Sequence, residues 1–393
     1  GALRGSNFSV NATVNITEVG TLRDVLERWY VYSPIVDSQT LLLSTSYAEA
    51  MRSVAEDLCK TVVDVNVTSN ASSLLSEGKA YSAASLCFRS NIDRGTKELS
   101  NVSAENRSAL LASLRSEVET LEKNLSSEPK LKSYAGIQSF LSVQERVSEA
   151  KSDLGENSSS PESLSYIRER LRSARSWASV HDGGKKVFSI NDAVVNFACA
   201  DSIESAEQVV SYVDSFAPGV LQRTGATLQD AGDDQQRGDF VLCVFRSLKA
   251  KAEANALLSQ VGVDDEETMR DMLNDKLGFV KRSLIRAVNR GMFPTIGYSY
   301  YEYALTLEER DPGLSLLFSE YALEFSELDR VLQKQVSFPK SQVSYPESRF
   351  PSSISWEWFG VGVLVGGVVV IVLSRFRKGS LSSPVSVSSR RLR

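Results

Sequence analysis

Four cysteines carry the only thiols in the chain, and their spacing favours one reaction, pairing. Cys59, Cys87, Cys199 and Cys243 show no Cys-x-x-Cys spacing of the kind that marks a zinc or dithiol redox site. Each falls in an apolar pattern of helical period, and they group as Cys59 with Cys87 and Cys199 with Cys243. Bridges of that kind would each staple a helix to a near neighbour and would need an oxidising compartment. Free thiols filling a core are the other reading. The single histidine, His181, sits in a Gly-containing loop beside Asp182. No serine lies on the tight, Gly-flanked turn that a Ser-His-Asp site requires, so no catalytic residue is assigned. Lys185 and Lys186 near Ser189 are no substitute, because nothing in an exposed loop would lower a lysine pKa. No metal site or cofactor is expected, since ligand clusters and Gly-rich phosphate loops are both missing.

Other chemistry-bearing runs have plainer readings. Asp264, Asp265, Glu266 and Glu267 precede Met269, Met272 and Leu273, as acids at a helix N-terminus would, rather than as a calcium loop. Arg237-Gly238-Asp239 spells an integrin-type tripeptide but opens an apolar helix. Tyr298, Tyr300, Tyr301 and Tyr303 fit core and core-edge positions better than a carbohydrate or peptide groove. The strongest modification signal is Asn-X-Ser/Thr, the N-glycosylation acceptor. It occurs at Asn7, Asn11, Asn15, Asn66, Asn70, Asn101, Asn106, Asn124 and Asn157. Only Asn91, among the asparagines before position 160, lies outside it, and none of the later ones is within it. Glycans on an exposed, extracytoplasmic half are the expectation.

The elements that would position these residues are mainly helical. Leu111, Leu114, Val118, Leu121 and Leu125 step by threes and fours, as do Leu164, Ile167, Leu171, Ala174 and Ala178. Leu314, Leu317, Phe318, Tyr321, Phe325 and Leu328 repeat the pattern. Polar breaks at 158–161, 181–184, 231–234 and 311–313 suggest an array of antiparallel hairpins, either tetratricopeptide-like or an irregular bundle. Gly78-Lys79-Ala80-Tyr81 before Cys87-Phe88-Arg89-Ser90 is echoed by Gly238-Asp239-Phe240 before Cys243-Val244-Phe245-Arg246-Ser247. Two similar stapled hairpins would explain the echo. Residues 7–17 alternate as a half-buried strand, and Thr21 opens a short helix. A lone strand wants a sheet that the chain does not supply.

One segment reads as a membrane anchor. From Trp358 to Leu373 every residue is apolar or Gly, and with its flanks the run reaches the roughly 20 residues needed to cross a bilayer. Trp356 and Trp358 mark one interface; Arg375, Arg377 and Lys378 mark the other and place the C-terminus in the cytoplasm. Gly362 and Gly366 form a GxxxG pair that permits close helix approach and self-association, although small residues are common in membrane helices. The expected order is a β-α remnant (1–34), a glycosylated helical region (35–180), and a second helical region (181–335). A Pro-containing linker (336–353), a transmembrane helix (354–376) and a basic Ser-rich tail (377–393) follow. A net charge of −5 with interspersed signs offers no surface for nucleic acid. The expected partners are therefore the lipid bilayer and other surface proteins. The opening at Gly1 is expected to be a processing or fragment boundary.

The segment Ile16-Thr17-Glu18-Val19-Gly20-Thr21-Leu22-Arg23-Asp24-Val25-Leu26 resembles the strand and helix that close the proteolytic domain of archaeal membrane-anchored Lon-type serine proteases. Gly78 to Arg89 and Ala174-Arg175-Ser176-Trp177 resemble pieces of that family's helical region. The resemblance implies a Ser-Lys dyad on a Gly-Pro-Ser-Ala-Gly-like turn in an upstream protease domain. That turn is absent here, and no Ser or Lys of this chain takes the catalytic role. What the resemblance leaves for this chain is anchoring the peptidase at the cell surface and presenting polypeptide substrates. The rival expectation is a non-enzymatic glycosylated stalk or protein-binding module.

Overall fold

Apolar positions recurring every three or four residues become helices throughout the described residues, which are 40–127, 133–155, 158–178, 191–263 and 265–333 of a computed structural model. The elements are α1 (Thr45–Cys59), α2 (Val65–Ser76), α3 (Ala80–Ser100), α4 (Ala104–Ser127), α5 (Tyr134–Ser152) and α6 (Pro161–Ala178). They continue as α7 (Asp192–Phe216), α8 (Gln222–Arg237), α9 (Phe240–Ser259), α10 (Glu266–Asn289), α11 (Thr295–Leu307), α12 (Pro312–Ser326) and α13 (Leu328–Gln333). The protein is mainly α. The expected β-α piece at 1–34, His181, and the expected linker, membrane helix with Gly362 and Gly366, and tail all lie outside the described residues. No helix among the described residues is long and apolar enough to cross a membrane.

Local chemistry sets most helix starts. Asp64 accepts from Asn66 N at 2.8 Å, Ser133 from Gly136 N at 3.0 Å, and Asp311 from Leu314 N at 2.9 Å. Each satisfies a backbone donor that the first turn leaves orphaned. Asp265 accepts from Thr268 N at 2.7 Å, so Asp265, Glu266 and Glu267 form the N-terminus of α10. Gly238 adopts φ 85° at the end of α8, with Gly238 N donating to Gln235 O and Asp239 N to Asp234 O. This is a left-handed C-cap, so Arg237-Gly238-Asp239 closes one helix and leads into α9.

The predicted break at 231–234 is corrected by the structure: those residues are the interior of α8. Ala231 and Asp234 are buried there, and their packing outweighs the roughly 1 kcal/mol that a mid-helix Gly such as Gly232 costs.

The weak echo around Cys87 and Cys243 belongs to a larger duplication of α1–α6 as α7–α12. In both halves the first helix is bridged to the third, by Cys59–Cys87 and Cys199–Cys243. A glycine of positive φ, Gly78 or Gly238, precedes the third helix. The third helix packs on the sixth, the fourth also packs on the sixth, and the fifth and sixth pair as a hairpin. Each sixth helix begins at a proline, Pro161 or Pro312, and carries a buried glutamate at the same interval from it, Glu169 or Glu320. The staple therefore spans a helix, rather than closing a simple hairpin as the sequence suggests. The intervening α2 buries little (only Ala71 fully), so its apolar pattern is too thin to register as a separate element.

The halves interlock through borrowed caps. Neither Lys79 before α3 nor Pro294 before α11 offers a side-chain cap. Gln138 on α5 fills the second gap, accepting from Ile296 N at 3.1 Å and donating to Phe293 O at 3.0 Å. Glu302 on α11 fills the first, accepting from Ser82 N at 2.9 Å. Helix α5 also divides its apolar face: Val143, Val147 and Ala150 join the core of the first half, and Ile137 and Leu141 that of the second.

The α11–α12 hairpin is tight at Gly297, where a Cβ would lie 2.9 Å from Ser326 N and 3.0 Å from Ser326 Cα. Backbone cannot step aside as a side chain can. Gly297→Ala is expected to destabilise by about 1–3 kcal/mol, despite its better helix propensity, as read by urea unfolding. An increase in stability would show that the hairpin spreads freely.

Candidate functional site

Helices α3, α6, α11 and α12 meet around an open groove of about 350 Å³, at the small end of the range for ligand sites. Its walls are aromatic. Tyr81 of α3 stands edge-on to Trp177 of α6, with ring centroids 6.3 Å apart, and to Tyr303 of α11 at 6.0 Å. Tyr303 in turn meets Phe318 of α12 at 4.6 Å. The third helix supplies Tyr81, Ser85, Phe88, Arg89 and Asp93 from one stripe, because positions three or four apart share a helix face. Burial holds Tyr81 protonated, with its pKa pushed up to about 12.

Two arginines sit among these rings. Arg146 of α5 lies with its guanidinium carbon 4.6 Å from the Trp177 ring centroid. Its Nε donates to Ser173 Oγ at 3.0 Å and its Nη1 to Ser142 O at 2.6 Å. Arg170 of α6 lies 5.1 Å from the Phe88 ring centroid and donates through Nε to Tyr166 OH at 2.8 Å. Its Nη2 pairs with Glu149 Oε2 at 2.5 Å. Burial would raise the Glu149 pKa, but Arg170 and Lys249 overcome it and hold the carboxyl down at about 2.

Arg170 also borders a second, polar cavity of about 380 Å³. There Lys249 Nζ bonds Glu145 Oε1 at 2.8 Å and Glu149 Oε1 at 3.0 Å. Charges in that cavity largely neutralise one another. Arg89 and Asp93 are exposed at the rim of the aromatic groove.

Ser85 and Ser173 carry the groove's alcohols, and among the described lining residues the one carboxylate is Asp93, with no histidine or lysine. Among the described residues no group of three His, Cys, Asp or Glu is placed to hold a metal.

The sequence-predicted residues fall as follows. Both cysteine pairs are bridged, with sequence separations of 28 and 44. The described sequon asparagines, Asn66, Asn70, Asn101, Asn106 and Asn124, are all exposed. By contrast Asn91, the one outside a sequon, is fully buried and donates to Leu58 O at 2.9 Å. Asn7, Asn11, Asn15 and Asn157 lie outside the described residues. Tyr298, Tyr300 and Tyr301 are partly buried and pack against the core, at the core-edge positions expected, whereas Tyr303 reaches the groove. Sequence reasoning missed Arg146 and Arg170, whose only signal was a charge inside an apolar helical stripe. Compared with protein-family models, with curated proteins and with solved structures, the chain matches none.

Proposed function

We propose that this chain is the extracytoplasmic helical part of a membrane-anchored, Lon-like proteolytic assembly, and that its groove engages polypeptide on behalf of an upstream peptidase. The observation that carries this reading is the lining of the groove. Gly78 to Arg89 and Ala174 to Trp177, the two segments that resemble the family's helical region, supply Tyr81, Ser85, Phe88, Arg89 and Trp177 to it. Aromatic rings beside guanidinium groups suit an irregular chain carrying apolar side chains. Two disulfides and exposed sequons are consistent with an oxidising, glycosylating exterior. In this reading residues 354–376 tether the bundle, with the N-terminus outside and the C-terminal tail in the cytoplasm.

A second reading, a glycosylated surface module that binds proteins without a peptidase, is favoured by the absence, among the described lining residues, of a histidine or lysine beside the groove serines. A photo-crosslinking residue at Asp93, on the groove rim, is expected to capture reduced, unfolded casein from solution. The coding sequence upstream of Gly1 is expected to carry a Gly-Pro-Ser turn and a later lysine. Capture without that turn leaves the binding module alone, and no capture overturns the role of the groove.

A further inference from the structure

The groove also carries information on which part of a polypeptide it takes, an inference that rests on the polypeptide-binding reading above. Arg146 is only 8% exposed. Its two bonds go to a hydroxyl and a peptide carbonyl, neither of which brings negative charge. Its neighbours differ. Arg170 is paired with Glu149, and Lys249 with Glu145 and Glu149, whereas no carboxylate among the described residues lies within ion-pair distance of Arg146. A guanidinium offers five N–H donors, so donors remain at the groove wall. Glu149 acts on Arg146 only from beyond ion-pair distance, and burying a cation without a contacting counter-charge is costly; a ligand carboxylate would supply both the charge and the acceptors.

We infer that the groove receives the C-terminal residue of a polypeptide, with its free carboxylate on Arg146 and an apolar or aromatic side chain against Tyr81, Phe88 and Tyr303. The charged point and the aromatic walls share one cavity of about 350 Å³, so one residue must carry both a carboxylate and an apolar group. A C-terminal Phe or Leu does. An internal Asp or Glu puts its charge at the tip of the side chain and leaves the walls bare. An acidic sugar would need many hydrogen-bonding partners, and Asp93 at the rim is the one carboxylate lining the groove. Fresh C-termini are what endoproteolysis releases, so the ligand class agrees with a site serving a peptidase.

The test uses the full chain and dye-labelled hexapeptides ending in Phe, one as the free acid and one as the C-terminal amide. Fluorescence anisotropy is expected to show the acid binding at least about tenfold more tightly, the effect of one charge-assisted hydrogen-bonded pair. Arg146→Gln, checked for folding by circular dichroism, is expected to bring acid and amide together. Phe88→Ala should weaken acid and amide alike. The acid–amide comparison on the unaltered protein stands even where a variant fails to fold. Equal binding of acid and amide overturns the carboxylate assignment and leaves polypeptide binding intact. Binding of neither peptide overturns both, and binding of a uronate oligosaccharide in their place would make this an acidic-glycan site.

Discussion

Loss of either disulfide is expected to lower the stability of the bundle by about 4 kcal/mol, and the two bridges should yield to reductant in a fixed order. The magnitude follows from the loops they close, 28 and 44 residues, through the chain entropy removed from the unfolded state. In a protein of this size the Cys199→Ala/Cys243→Ala variant should melt about 5–7 °C lower. The order follows from burial. Cys199 and Cys243 are both fully buried, as is Cys87, but Cys59 is only partly covered. Attack on a disulfide needs a thiolate to reach one sulfur along the bond axis. Dithiothreitol without denaturant should therefore open Cys59–Cys87 while Cys199–Cys243 persists until unfolding. Alkylation followed by peptide mass mapping reads this directly. Equal rates for the two bridges in the native protein would show that the second half opens as readily as the first.

Those bridges were legible because a cysteine's partner is constrained by count and by helical register. The starts of α10 and α12 were legible for a similarly local reason: Asp265, in the acidic run, and Asp311, in the polar break, each cap a donor three residues away. The groove was not legible. Its residues run from Leu58 to Phe318, and a periodic stripe says which face of a helix is apolar but not which other face it meets. Helix α12 shows the limit. The stripe Leu314, Leu317 and Phe318 suggests one buried side, yet the fully buried positions include Ser315, Leu316, Ser319 and Ala322. The helix is surrounded by α9, α10, α11 and α13, so small polar residues are buried with the rest. Ser315 Oγ, for example, donates to Ala304 O at 2.7 Å. Long-range capping by Gln138 and Glu302 is equally invisible in sequence, since nothing local distinguishes those side chains from solvated ones.

Glu302 makes the joint between the halves sensitive to pH, weakening it as pH rises. One oxygen accepts from Ser82 N at the uncapped start of α3, while Oε2 is buried without a hydrogen-bond partner. Burial raises the pKa from 4.5 to about 7, outweighing the favourable Ser82 and Tyr81 N–H groups and the more distant Lys79. The folded state thus holds this proton more tightly than the unfolded state does. Its contribution to stability is complete below pH 4.5 and is lost as pH rises through 7, by about 3 kcal/mol in all. Glu302→Gln keeps an acceptor for Ser82 N and removes the titration. Urea unfolding at pH 5 and pH 8 should show the unaltered protein losing that margin relative to the variant. The residues beside the joint, Tyr81 next to Ser82 and Tyr303 next to Glu302, are walls of the groove. Ionisation that loosens α3 from α11 would therefore loosen the groove too, and peptide affinity should fall over the same pH window in the unaltered protein but not in the variant. Parallel stability curves for the two proteins would mean that Glu302 meets water or a cation in solution, and the groove would then keep its grip regardless of pH.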